Sequence, residues 1–252
     1  MLDAPCGPRP PVKYGSSVES ELASMKTLGI FAKYPRPGCV KTRLARDIGT
    51  DAAAQLAEAF LKDVCESFRD AADRQIIAYT PDDWAARVYF EGLARSGDQL
   101  WPQPAGDLGD RLAAFFEMAC SAKDATVVIG ADAPTVPVEF VAEAFERLAS
   151  CDCAIGPSTD GGYYLLALRS ACPSLFTGID WGTDRVFEQT MNRISDANLT
   201  VHRLPVWYDV DTLEDLRRLD SDLRRTRVAD NRARGRFTCE ALRLVRSAID
   251  RL

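Results

Sequence analysis

Histidine is almost missing from this 252-residue chain: His202 stands alone, ahead of an apolar run and with no Cys or His cluster around it. Chemistry built on a histidine base or a histidine-rich metal site is therefore not expected. Long apolar runs are missing too. No stretch approaches 18 consecutive apolar residues, and the opening segment MLDAPCGPRPPVKYGSS has no apolar signal core, so we expect a cytoplasmic protein without a membrane span. Positive charge is not in excess, with 31 Lys and Arg against 37 Asp and Glu and a formal net charge of -6. A protein whose main task is to coat nucleic acid or an anionic membrane needs the opposite balance, so no nucleic-acid partner is expected. The eight cysteines are scattered without the paired spacing of a zinc site, and only Cys151 and Cys153 lie close together. They read as reduced, small hydrophobic residues.

What is present is ordinary for a globular α/β chain: 46% hydrophobic and 27% charged residues, with Gly 16 and Pro 14. The length fits one large domain. Residues 1–24 hold four prolines and no periodic apolar pattern, so they read as a flexible leader, with Met25 a candidate start. From there, short apolar runs alternate with helical periodicity. Strands are expected at 27–33, 75–80, near 99–102, 126–131, 151–157, 162–168 and 201–208. Helices are expected between them, including one in which Leu56, Phe60, Val64 and Phe68 share a face, and another from Thr212. Such alternation implies a mainly parallel sheet covered on both faces, with the domain running over 25–220. Residues 221–252, with nine arginines, form a helical extension that either packs or meets a partner.

Three segments carry candidate chemistry at strand ends, where open α/β sheets bind ligands. The loop KYPRPGCVKTRLAR (33–46) places five cations in fourteen residues. Lys33, Arg36, Lys41 and Arg43 suit a polyphosphate, and Gly38 permits close backbone approach. The spacing is not that of a Walker loop. In TVVIGADAPTVP (126–137) an apolar strand delivers Asp132 at its end, and WYDVDTLEDLRRL (207–219) delivers Asp209 and Asp211. Carboxylates placed beside polyphosphate suit Mg²⁺ (or Mn²⁺), which is held by one or two carboxylates and phosphate oxygens. Thr212 with Asp215 also fits a helix cap.

Three further loops read as recognition surfaces. In PQPAGDLGDRL (102–112), Gln103, Gly106 and Gly109 could face a base. In GPSTDGGYYLLAL (156–168), Asp160, Gly161, Gly162 and Tyr163 could bound an acceptor, although Asp-Gly is equally a hairpin signal. In WGTDRV (181–186), Thr183 is either a helix cap or an acceptor contact.

Together, FAKYPRPGCVKTRL, GADAP, GPSTDGGYYLLAL, WGTDRVF and DVDTLEDL resemble the bacterial family labelled rSAM/selenodomain-associated transferase, over about residues 27–219. That resemblance implies the three-layer, Rossmann-like GT-A fold of the nucleotide-diphospho-sugar transferases. Lys41-Thr42-Arg43-Leu44 is also similar to the K-[ST]-R-L sequence of 2-phospho-lactate guanylyltransferases. By resemblance to sugar-acid cytidylyltransferases, Asp132 and Asp211 become the metal carboxylates, with Leu213 where those enzymes carry proline, and Gln103 reads the base.

The reaction expected first is nucleotidyl transfer from a nucleoside triphosphate to a small anionic acceptor, releasing pyrophosphate. Lys41, Arg43, Asp132 and Asp160 would be its catalytic residues. Glycosyl transfer from a nucleotide sugar is the alternative, although Gly130 stands where a D-x-D pair would place its first Asp. A nucleotide-binding module without turnover is the third reading. The oligomeric state is left open.

Overall fold

The computed structural model describes residues 25–121, 124–229 and 235–249, leaving out the side chains at 226–229 and 247–249. The leader expected over 1–24 lies outside these residues.

Seven strands form one sheet: β1 (Lys26–Lys33), β2 (Arg74–Thr80), β3 (Gln99–Pro102), β4 (Ala125–Gly130), β5 (Cys153–Pro157), β6 (Tyr163–Leu168) and β7 (Val201–Arg203). Their spatial order is β3-β2-β1-β4-β6-β5-β7. All neighbours are parallel except at β6, which runs antiparallel to β4 and β5. The helices are α1 (Ala45–Ile48), α2 (Thr50–Ser67), α3 (Trp84–Leu93), α4 (Leu108–Ala119), α5 (Val138–Arg147), α6 (Val186–Asp196), α7 (Leu213–Ala229) and α8 (Arg236–Ile249).

Alternation along the strands sorts side chains to two faces. Ile77 and Tyr79 of β2 join a core with Leu61 and Val64 of α2, Phe90 of α3 and Phe145 of α5. Ile76 and Ala78 join the opposite core with Phe115 and Phe116 of α4 and Ile194 of α6. The result is a three-layer α/β architecture of the expected class.

Three expectations change. Strand 201–208 ends at Arg203 because Pro205 has no N–H to donate. The chain then runs across the sheet's edge, with Trp207 N–H donating to the Pro157 carbonyl at 3.0 Å and Val210 N–H to that of Asp132 at 3.0 Å. The apolar stripe of α2 also serves two cores: Val64 and Phe68 face the sheet, while Leu56 and Phe60 face α7 and α8. Burying each such side chain favours folding by roughly 1.5–3 kcal/mol. Finally, the boundary drawn after residue 220 falls inside α7, whose Leu216, Leu219 and Leu223 belong to one core with Leu242 and Val245 of α8. The arginine-rich extension, where described, is therefore a packed helical hairpin. Buried Asp63 of α2 anchors it by accepting the Phe237 and Thr238 N–H groups at 3.1 and 2.7 Å.

Candidate active site

The carboxyl ends of β1 and β4 are adjacent at the centre of the sheet, and the 204–211 crossing lies against them. Lys33 ends β1. Arg36 lies over the Tyr34 ring at 5.2 Å and pairs with Asp83 at 3.3 Å. Gly38 takes φ 76°, and the turn delivers Lys41 in the left-handed region at φ 46°. A non-glycine residue held there costs about 1–3 kcal/mol, so its surroundings must fix it. They do. The Lys41 side chain is 3% exposed, and Nζ meets Asp132 Oδ1 at 2.5 Å and Asp211 Oδ1 at 2.9 Å. Burial alone would lower the Lys41 pKa, but the two carboxylates outweigh it and hold the ammonium raised and charged.

This geometry revises one expectation. Lys41, assigned from sequence to the donor phosphates, is turned inward as the counter-ion of Asp132 and Asp211. Lys33 and Arg43 remain, neither in an ion pair among the described residues. Both line a cavity of about 290 Å³ together with Lys41, Thr42, Asp132 and Asp211. A neighbouring cavity of about 510 Å³ shares Lys33 and Thr42 and is completed by Tyr34, Arg36, Gly38, Pro81 and Arg111. Arg111 was not singled out by sequence reasoning, although it lies within a loop that was.

Asp209 sits behind this pair, accepting from Ser158 Oγ at 3.1 Å. Burial first, then the negative charge of Asp132 and Asp160, pushes its pKa up to about 7, against the pull of Lys41 and the Ser158 bond. Among the described residues no group of three or more His, Cys, Asp or Glu side chains forms a cage for a metal ion. The half-exposed Asp132 and Asp211 still offer hard oxygen donors to the cavity, while their Oδ1 atoms are engaged by Lys41. Such a pair fits a magnesium ion that brings most of its remaining ligands as water and phosphate.

On the other side of Asp211 lies the β5–β6 hairpin. Its tip is closed by Ser158 N–H donating to the Gly162 carbonyl at 2.9 Å and Gly162 N–H donating to Asp160 Oδ1 at 2.9 Å. Gly161 has φ 88°, and a Cβ there would lie 2.1 Å from the Asp184 carbonyl oxygen, so only glycine lets the tip dock on 181–187. Phe187 N–H completes the contact by donating to the Gly161 carbonyl at 2.8 Å. Thr183 Oγ donates to the Asp180 carbonyl at 2.8 Å and accepts Arg185 N–H at 3.3 Å, which closes the turn before α6, but the N-cap position of that helix is Arg185 and not Thr183 as expected. Around these residues opens a cavity of about 390 Å³ walled by Tyr163, Trp181, Thr183, Asp160, Asp184 and Asp209. It shares Arg43 and Asp211 with the basic-loop cavity. Trp181 and Asp184 were not predicted as site residues, although both lie in a quoted motif.

The structure thus brings Lys33, Arg43, Lys41, Asp132, Asp209, Asp211, Asp160 and Thr183 to one continuous groove. It does not bring Gln103, Gly106 and Gly109 there as base readers. The buried Gln103 amide donates to the Ala78 carbonyl at 2.7 Å and accepts weakly from Arg111 at 3.5 Å. Gly106 precedes the Asp107–Asp110 capping box of α4, and Gly109 makes room for the Trp181 indole and the Phe176 carbonyl. Asp160 and Asp184, which line the cavity of about 390 Å³ together with Arg43, have no cationic partner among the described residues.

Residues 63–183 match a family described as an uncharacterized protein conserved in bacteria (DUF2064). A crystal structure from Desulfovibrio desulfuricans G20, provisionally described as a nucleotide-diphospho-sugar transferase, is 34% identical, with a TM-score of 0.79 over 90% of this chain and 98% of that one. A nucleotidyl transferase from Methanothermobacter is 14% identical with a TM-score of 0.56, covering 80% of this chain and 99% of that one. The 4-diphosphocytidyl-2C-methyl-D-erythritol synthase of Anaerococcus prevotii is 11% identical with a TM-score of 0.54, covering 80% and 99%. The last two likenesses establish a shared fold. No curated protein matches the sequence. Among the described residues, no helix is long and apolar enough to cross a membrane.

Proposed function

We propose that this chain, which belongs to the DUF2064 family of proteins conserved in bacteria, is a transferase that takes a nucleotide donor and a small-molecule acceptor in one groove. The observation that carries this reading is that Lys33 and Arg43, which have no ion pair among the described residues, line one cavity with the Asp132–Lys41–Asp211 cluster. The donor's nucleoside end fits the larger cavity beside Tyr34, Pro81 and Arg111, and its phosphates lie over Lys33 and Arg43. The acceptor fits the cavity bounded by Asp160, Tyr163 and Thr183.

The reaction we favour is nucleotidyl transfer. An acceptor oxygen forms a bond to the α-phosphorus, the bond from that phosphorus to the bridging oxygen breaks, and pyrophosphate leaves against Lys33 and Arg43. Asp132 and Asp211 would hold Mg²⁺ or Mn²⁺ through their outer oxygens. That ion would neutralise phosphate charge and polarise the α-phosphate. Lys41 keeps the two carboxylates together and lowers their repulsion before any nucleotide arrives.

Glycosyl transfer is the second reading, and Asp160 favours it, because this carboxylate at the acceptor cavity could take a proton from an attacking hydroxyl. A mass-spectrometric donor screen with Mg²⁺, offering every nucleoside triphosphate, a panel of nucleotide sugars and mixed acceptors, separates the two. Pyrophosphate with a nucleotide-bearing product supports the first. Free nucleoside diphosphate with a sugar-bearing product replaces it with the second, and binding without any product overturns both.

The metal reading has its own test. Manganese electron paramagnetic resonance should find weak binding to the free chain and clearly tighter binding once nucleotide is added. Equal affinity in both states would remove the shared-ligand arrangement.

A further inference from the structure

We infer that the acceptor cavity selects its occupant by positive charge, and that the small molecule it takes carries a protonated amine beside its reacting group. This rests on the preceding reading only in calling the cavity the acceptor's. The charge argument stands on the cavity itself.

Among the described residues, Arg43 is the one cation in the cavity wall, and it is shared with the basic-loop side of the groove. Asp211 has its own counter-ion in Lys41 at 2.9 Å. Arg185, next in sequence to Asp184, is committed to Asp180 at 2.9 Å. Asp160 and Asp184 are left without a cationic partner among the described residues, close together where the hairpin tip that carries one docks on the segment that carries the other. Carboxylates held in a concave wall focus a negative potential that repels phosphate or carboxylate ligands and attracts ammonium.

Beside these charges and Asp209, the wall includes two aromatic rings. The Tyr163 and Trp181 rings lie edge to face with centroids 6.5 Å apart, and the Trp181 indole N–H is buried without a hydrogen-bond partner. Aromatic rings beside carboxylates make a favourable setting for a cation and for the apolar carbons that carry it. The volume, about 390 Å³, accommodates a molecule of the size of a monosaccharide.

Three pyranoses matched in shape and differing in charge test this: D-glucosamine, D-glucose and D-glucuronate, with dissociation constants from saturation-transfer NMR on the full chain at pH 6.5. Glucosamine is expected to bind at least about tenfold more tightly than glucose, with glucuronate weakest. The Asp160→Asn/Asp184→Asn double variant should erase that order, since an amide oxygen at position 160 can still accept the Gly162 N–H and the fold is retained. Asp196→Asn, at the far end of α6, should leave the order intact. Equal affinities, tightest binding of glucuronate, an unchanged order in the double variant, or no binding of glucosamine would each overturn the inference. Nucleotide binding is measured in parallel. Nucleotide bound with no charge preference removes this inference alone, whereas the charge preference without nucleotide binding keeps it and removes the proposed transferase.

Discussion

The two halves of the groove share Arg43 and Asp211 yet carry opposite charge. Among the described residues, Lys33 and Arg43 on one side have no ion pair and the two carboxylates lining that cavity are held by Lys41, whereas on the other side Asp160 and Asp184 have no cationic partner. The difference follows from connectivity. Loops that follow the parallel strands β1 and β4 build the basic half, and a hairpin with its docking segment builds the acidic half. Two substrates of opposite charge could therefore sit side by side, each repelled from the other's half.

The largest effect should come from the residue that keeps the halves distinct. Lys41→Met leaves Asp132 and Asp211 facing each other, and a loss of about 100-fold or more in kcat is expected in the reaction found by the donor screen. The same variant should bind Mn²⁺ more tightly without nucleotide, because the ammonium no longer competes for the two carboxylates. Asp132→Ala should lose activity to a similar degree. Full turnover in that variant, with an intact circular dichroism spectrum, would break the assignment of the basic half.

Gly161→Ala attacks the acidic half through its backbone. The added Cβ meets the Asp184 carbonyl and the residue must keep φ 88°, so a loss of about 1–3 kcal/mol in urea unfolding is expected. Nucleotide affinity should stay near that of the parent chain. A proportional fall in both would mean that the halves are one cooperative unit.

Asp63→Ala lies outside the comparison and sets its baseline. Removing the acceptor of the Phe237 and Thr238 N–H groups should cost about 1–2 kcal/mol by the same unfolding measurement, with kcat per folded molecule unchanged. Burial raises the Asp63 pKa. Folding therefore favours its protonated form, and the stability it contributes is present at pH below the ordinary carboxylate range and lost as pH rises through the raised value. Asp63→Asn should flatten that part of the stability profile.

The smallest effect is on a thiol. Exposed Cys39 lies in the wall of both basic-side cavities, so nucleotide should slow its alkylation several-fold, while glucosamine should not. Cys65 and Cys153, whose thiols burial pushes up to about 12, should remain unmodified in the folded chain.

Much of this arrangement was readable from the residues in order. The apolar runs located six strands well, and the chemistry at strand ends followed from where the runs stop, as with Asp132 after Ile129 and Gly130. What the order could not carry was direction. Five cations in one loop look alike in a string, yet Lys41 turns inward because Asp211, 170 residues away, completes its pocket, while Arg36 is drawn off to Asp83. Gln103 looked like a polar group free to read a base, but the β2 carbonyl that engages it is a tertiary neighbour. The lost end of strand 201–208 was visible in principle, since Pro205 breaks the donor pattern.

The reversed strand β6 has a further consequence. Because it runs against its neighbours, the turn before it emerges at the edge where β1 and β4 end, and no helical crossover separates that turn from β5. Ser158 and Thr159 are bound to the segment before Asp211, through the Asp209 carboxylate and the Trp207 carbonyl, so the part of the turn open to recoding is position 160, which lies apart from the sheet register and the basic loop. A lineage built on this frame could alter the charge of one cavity by editing a codon or two, while the basic loop and the Asp132–Lys41–Asp211 cluster are inherited whole.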